Sequence, residues 1–158
     1  MSLRDIDLSY GPTPDAESIV SALLMEFASL PAWEGTQVRS EVTPVTDATL
    51  PDHPVILYQC GNPALDGDTG AWFYRVPLTL TVLVWEDPQY AWRLASSLDM
   101  AVRLWPEHAP TPFGRVCGVP AGTGFARQQI GNIATAHAVT QYGADKTLVV
   151  APPPDWLE

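Results

Sequence analysis

The residues whose types could do chemistry are few and scattered. His53, His108 and His137 stand far apart, and none has a second ligand at the i+2 or i+4 spacing that puts two on one face of a strand or helix, so no metal site is expected. Cys60 and Cys117 lie in strand-like contexts without C-x-x-C spacing and read as reduced thiols, small apolar residues of the interior. A thiolate pair of Cys117 with His137, as in a small cytosolic enzyme, needs only spatial proximity, but the local sequence does not favour it over two core residues on neighbouring strands. Asp66-Gly67-Asp68-Thr69-Gly70 starts like a calcium loop, yet its glycines are misplaced and Pro77 stands where the bidentate glutamate belongs. Gly122-Thr123-Gly124 lacks the third glycine and the following helix of a phosphate-binding turn, and Ser96-Ser97 falls inside a helical pattern without a strained elbow. No catalytic, metal or cofactor site is expected.

The element that must position everything else runs from Trp72 to Trp105. In WFYRVPLTLTVLVWE, Tyr74, Val76, Leu78, Leu80, Val82 and Val84 share one face of a strand at period two, with Phe73, Arg75, Thr79 and Thr81 on the other. An amphipathic helix follows almost without a loop. Asp87 can cap its first turn, Pro88 sits where a missing N–H costs nothing, and Pro106 ends it near Trp105. Its apolar stripe is Ala91, Leu94, Ala95, Leu98, Ala101, Val102 and Trp105, while Arg93, Asp99 and Arg103 are expected to face outward.

Around this unit, residues 1–12 read as an arm with too little apolar periodicity to fold alone. A first helix opens at Thr13-Pro14, buries a stripe from Ala16 to Leu30 and stops at Pro31. Val38 to Val42 is a short extended run, the proline-rich stretch after it a surface loop, and Val55 to Cys60 a buried strand. GNPALDGDTGA reads as a long exposed hairpin loop, and Gly114 to Val119 as a short strand followed by irregular chain. Ile133 to Tyr142 reads as the last long strand, Gly143-Ala144-Asp145 as a break, Lys146 to Val150 as a short apolar run, and residues 151–158 as an extended tail. The 158 residues therefore form one α+β domain over residues 13–150, an antiparallel sheet of about four to five strands with two main helices on one face.

Charge narrows the function. The chain carries a net charge of −10 and one lysine, Lys146, which disfavours a grip on nucleic acid through phosphates. No apolar run is long enough for a membrane span, and the N-terminus lacks the regions of a signal peptide, so a product of the cytoplasm is expected.

Six tryptophans, at positions 33, 72, 85, 92, 105 and 156, are many for this length, and such residues gather in cores or at interface centres. Trp105 is expected in the core. Pro77 inside the long strand removes a ladder hydrogen bond, which predicts an edge or a bulge, and an open edge invites pairing with another subunit. The strand face of Phe73, Arg75, Thr79, Thr81 and Trp85, together with Phe125, Arg127 and Trp156, is the expected contact surface.

The element order carries a resemblance. A helix opening near P-D-A, a strand ending in a glycine-rich loop, YRVPLTLTVLVWE, an alanine-rich helix, G-V…G-F-A-R and an alternating final strand resemble tail terminator proteins of long, non-contractile-tailed bacteriophages over roughly residues 13–143. The likeness is one of order and pattern, without an invariant motif. It implies a virion structural protein without catalysis: a homohexameric ring that caps the tail tube and joins it to the head-side connector. The implied partners are the tube protein and a head-completion or connector protein, with DNA passing through the channel and not held specifically. Asp66 and Asp68 would then be lumen-facing acids. A different neck or head-completion protein would share the same small α+β domain. The long chain after Gly143 and the Pro77 interruption depart from the family pattern.

Overall fold

The computed structural model describes residues 15–40, 54–65, 73–85, 87–128 and 139–152. Helix α1, Ala16–Ala28, starts where Asp15 accepts hydrogen bonds from the backbone N–H and the hydroxyl of Ser18. The helix is one residue pair shorter than its apolar pattern: Ser29 turns its hydroxyl onto the Glu26 carbonyl, and Leu30 lies half exposed outside the buried stripe. A 3-10 turn, Pro31–Trp33, then seats the Trp33 ring under the helices. That ring stacks on Phe27 at 5.9 Å and meets Tyr90 edge-on at 5.6 Å, so one aromatic side chain ties the first helix to the second.

The strands are β1 (Gln37–Ser40), β2 (Val55–Cys60), β3 (Ala64–Leu65), β4 (Tyr74–Trp85), β5 (Arg115–Gly122), β6 (Ala126–Gln128) and β7 (Val139–Ala151). They form one seven-stranded sheet with the path β1-β2-β4-β7-β5, β3 pairing with β4 and β6 with β7. The α+β class stands, and the described sheet is larger than four or five strands because β3 and β6 are short pieces in stretches whose sequence carries no strand period. One pairing differs in kind: β1 runs parallel to β2. The connection between them is long enough to carry the chain back to the same end, which a parallel pair requires and a tight hairpin does not allow.

Helix α2, Pro88–Leu104, begins as its sequence demands, with Asp87 accepting from the Tyr90 N–H at 2.9 Å and Pro88 in the first turn. Its buried residues, Ala91, Leu94, Ala95, Leu98 and Val102, lie on the same sheet face as Ile19, Val20, Leu23, Leu24 and Phe27 of α1. That face is built by Tyr74, Val76, Leu78, Leu80, Val82 and Val84 of β4, joined by Ile56, Tyr58, Leu148 and Val150. Each large apolar side chain removed from water contributes about 1.5–3 kcal/mol, so this single interdigitated layer dominates the stability. The helices divide the sheet, α1 over β1 and β2, α2 over β4 and β7.

Two local signals read differently in three dimensions. β4 is the central strand, so Pro77 does not mark an edge. The β2 ladder ends at the pair Cys60–Leu78, the β3 ladder begins at Ala64–Arg75, and the Gly61 N–H donates to the Pro77 carbonyl at 2.8 Å. The N–H and C=O of one strand residue point to the same side, so the hydrogen bond that proline lacks falls in this seam and the β7 ladder is untouched. Gly143-Ala144-Asp145 is likewise no break but the middle of the 13-residue β7. A Cβ on Gly143 would collide with the Gln128 side chain, which lies over it and accepts a hydrogen bond from Gln141 at 2.7 Å; the glycine admits β6.

Candidate assembly surface

The strand face opposite the helices is only partly open. Val55, Leu57 and Leu83 form a second buried cluster there with Val139 against it, and Thr81, opposite Leu57, is 6% exposed. Thr81 is thus interior in the single chain and no contact residue, a correction of the sequence-based expectation. Thr79 is half-buried and gives its hydroxyl hydrogen to Asp145 at 3.1 Å. Phe73 is half-buried, and Arg75 is exposed and engaged in an interaction within the chain. Trp85 closes β4, its backbone opposite Val139.

Phe125 is half-buried and packs against the helix-side core. Arg127 is exposed in β6 and, by register, opposite Tyr142, on the sheet face that bears the helices. Trp156, Asp66, Asp68, His53 and His137 lie outside the described residues, as do the arm and most of the tail.

The remaining chemical candidates are occupied by structure. Cys60 is half-buried at the end of β2, and burial, followed by the charges of Glu17 and Asp15, pushes its thiol up to about 11. Cys117 is raised as well, by burial against the opposing pull of Arg115. Both therefore hold their protons, the reverse of what a thiolate nucleophile requires. The Thr123 N–H donates to the Asp145 carbonyl at 2.8 Å, and the Asp145 N–H donates to the Thr123 hydroxyl at 3.1 Å, so that turn is pinned to β7. The groove of about 440 Å³ beside it, lined by Pro77, Thr79, Thr147 and their neighbours, has its acid, Asp145, engaged by Thr79. Among the described residues no group of three His, Cys, Asp or Glu could hold a metal ion, and no helix is long and apolar enough to cross a membrane.

Sequence reasoning missed three features of the surface. Asp99 does not face outward: it accepts from the Nζ of Lys146 at 2.6 Å and from Arg103 at 2.9 Å, and the chain's one lysine is 7% exposed on the inner face of β7. On the outer side of α2, Trp92, Met100 and Leu104 are each half exposed or more, Trp92 leaning on Tyr142 of β7 at 5.8 Å. On α1, Met25 is 61% exposed and, with Ala28, Ser29 and Thr36 to Arg39, walls a groove of about 440 Å³ along β1. The periods of both helices contain these positions, but a period separates faces without telling which polar face is solvent and which is contact. Among the described residues β1 pairs only with β2, and β5 only with β7, so each lateral limit of the sheet keeps an unpaired side.

What these features define is a domain of α+β class whose surface, and not a pocket, is its prominent feature. No family model matches the chain and no curated protein matches it. A solved structure that aligns with 87% of this chain and 93% of its own is 13% identical with a TM-score of 0.40, a likeness that carries no argument about function.

Proposed function

We propose that this protein is a virion structural protein, a tail terminator that forms a ring on the end of a phage tail tube and meets the head-side connector. The observation that carries the reading is the placement of large apolar side chains outside the core: Met25, Trp92, Met100 and Leu104 are exposed on helices whose opposite faces are fully buried. Apolar surface of that kind on a small domain suits association. The raised thiols support a role without catalysis. The acidic balance suits a channel wall, because a ring of copies each carrying −10 repels DNA and lets it slide.

Cryo-electron microscopy of purified tail tubes mixed with the protein tests this. A six-membered ring at one tube end is expected. A ring on the head portal without tube binding would make it a neck protein of another kind, and failure to bind either particle would remove the assembly reading.

A further inference from the structure

The free side of β1 is a backbone edge with a groove beside it. The Gln37 N–H donates to the Pro54 carbonyl at 2.8 Å, so Gln37 and, two residues on, Arg39 turn their backbone groups toward β2. The N–H and C=O of Val38 and Ser40 point the other way, to the side where β1 has no neighbour among the described residues. The side chains alternate as well. Val38 packs against the core and the Ser40 hydroxyl reaches Glu17 of α1 at 3.3 Å, both on the helix side, whereas Arg39 is exposed and holds the Gln37 side chain at 2.7 Å. The groove between α1 and β1 offers apolar Met25 and Ala28 on one wall, and its one charged lining residue is Arg39. Thr36 also lines it, with a hydroxyl oxygen that is buried and has no hydrogen-bond partner among the described residues. A buried hydroxyl left in that state costs stability until something completes it.

We propose that β1 is completed by an extended segment of a different protein, one with apolar side chains at alternate positions and a single acid between them. The backbone of that segment bonds to Val38 and Ser40, its alternate side chains fall on the helix side against Met25 and Ala28, and the residue between them lies on the Arg39 face, within reach as neighbouring strands allow. Arg39 decides the sign of that residue. It also disfavours a second copy joined edge to edge, because two β1 strands paired with each other set both Arg39 side chains on one face of a short joint. The nearby acids leave room for one more. Glu26 is bound to His108 and Glu17 to the Ser40 hydroxyl, while Glu34, exposed two residues before Thr36, disfavours a second acid at that end. This contact stands whether or not the protein caps a tube.

The test titrates the full chain with two short capped peptides in which valine alternates with threonine, one carrying aspartate and the other lysine at the central threonine position. Amide hydrogen exchange followed by NMR reads the contact. The aspartate peptide should slow exchange at Val38 and Ser40, leave Gln37 and Arg39 unchanged because they already face β2, and bind roughly tenfold more tightly than the lysine peptide. Arg39→Glu, a change at an exposed side chain, should reverse that preference. Added salt should narrow it. Binding of neither peptide at millimolar concentration, a preference that survives Arg39→Glu, or protection that appears away from β1 would overturn the proposal. So would protection of the same two amides as the protein's own concentration rises without peptide, since the edge would then belong to a second copy.

Discussion

Lys146 and Asp99 meet at 2.6 Å between the inner face of β7 and α2, at a point where the surrounding layer is apolar. The lysine stem passes beside Gly122 of β5 and delivers its ammonium to a carboxylate that Arg103 holds from the solvent side. Asp99 is thereby fixed in one rotamer, and α2 cannot slide along the sheet without separating the pair.

Removing Asp99 strands the buried Lys146, whereas removing Lys146 leaves Asp99 with Arg103 and a space where the lysine stem lay. Asp99→Ala should destabilise the fold by about 3 kcal/mol, the usual scale for leaving a buried charge alone, and Lys146→Ala by a similar amount with a cavity added. Lys146→Met combined with Asp99→Leu should recover most of the loss. Arg103→Ala, whose side chain is 64% exposed, should cost under about 1 kcal/mol. Urea unfolding of the four variants measures all of this, and a double variant no better than the singles would contradict the pairwise account.

Helix α1 is tied to the end of α2 by a titratable contact. His108 has its Nδ1 2.6 Å from the Ala109 carbonyl and its Nε2 2.7 Å from the Glu26 carboxylate, so both ring nitrogens face acceptors and the imidazolium satisfies both. Its pKa is raised, first by the Ala109 carbonyl, with Glu26 adding and burial opposing. A raised folded pKa means that the contribution is complete below the unfolded value near about 6.5 and is lost as pH climbs through the folded one. The stability difference between the parent and His108→Gln should therefore be largest below the unfolded value and shrink as the pH rises above it. A difference that is flat with pH would show that the ring acts by packing alone.

Gly122 and Gly118 lie in the same strand and should respond oppositely to a methyl group. Gly122 has φ +156°, and a Cβ there would sit 2.6 Å from the Lys146 side chain and 2.8 Å from the Asp145 carbonyl, whereas a Cβ on Gly118 meets nothing within 4 Å. Gly122→Ala should lower stability by about 1–3 kcal/mol, and Gly118→Ala should be neutral or raise it by up to about 1 kcal/mol through the unfolded chain. Thermal unfolding of the two variants decides it.

The Cys60 thiol, pushed up to about 11 by burial and by Glu17 and Asp15, should alkylate far more slowly at neutral pH than free cysteine. Its rate should climb until the pH approaches that value, and Glu17→Gln should speed it. Mass spectrometry of the modified peptide reads both rates; a Cys60 as fast as free thiol at neutral pH would mean that the end of β2 opens readily.

The local signals that survived intact are those in which neighbouring residues specify their own geometry. The period-two run of β4, the Asp87-Pro88 start of α2 and the stripe that α2 buries needed no knowledge of partners, because alternation and capping are consequences of backbone geometry. The α+β layering followed from them. Tertiary structure decided which segment lies beside which: that Pro77 sits at a seam in the middle of the sheet, that Gly143 stays inside a strand because Gln128 covers it, and that β1 joins in parallel. It also decided the fate of charge. Asp99 on the polar side of a helix and Lys146 beside an apolar run look solvated in one dimension and become a buried pair only when α2 lies across β7.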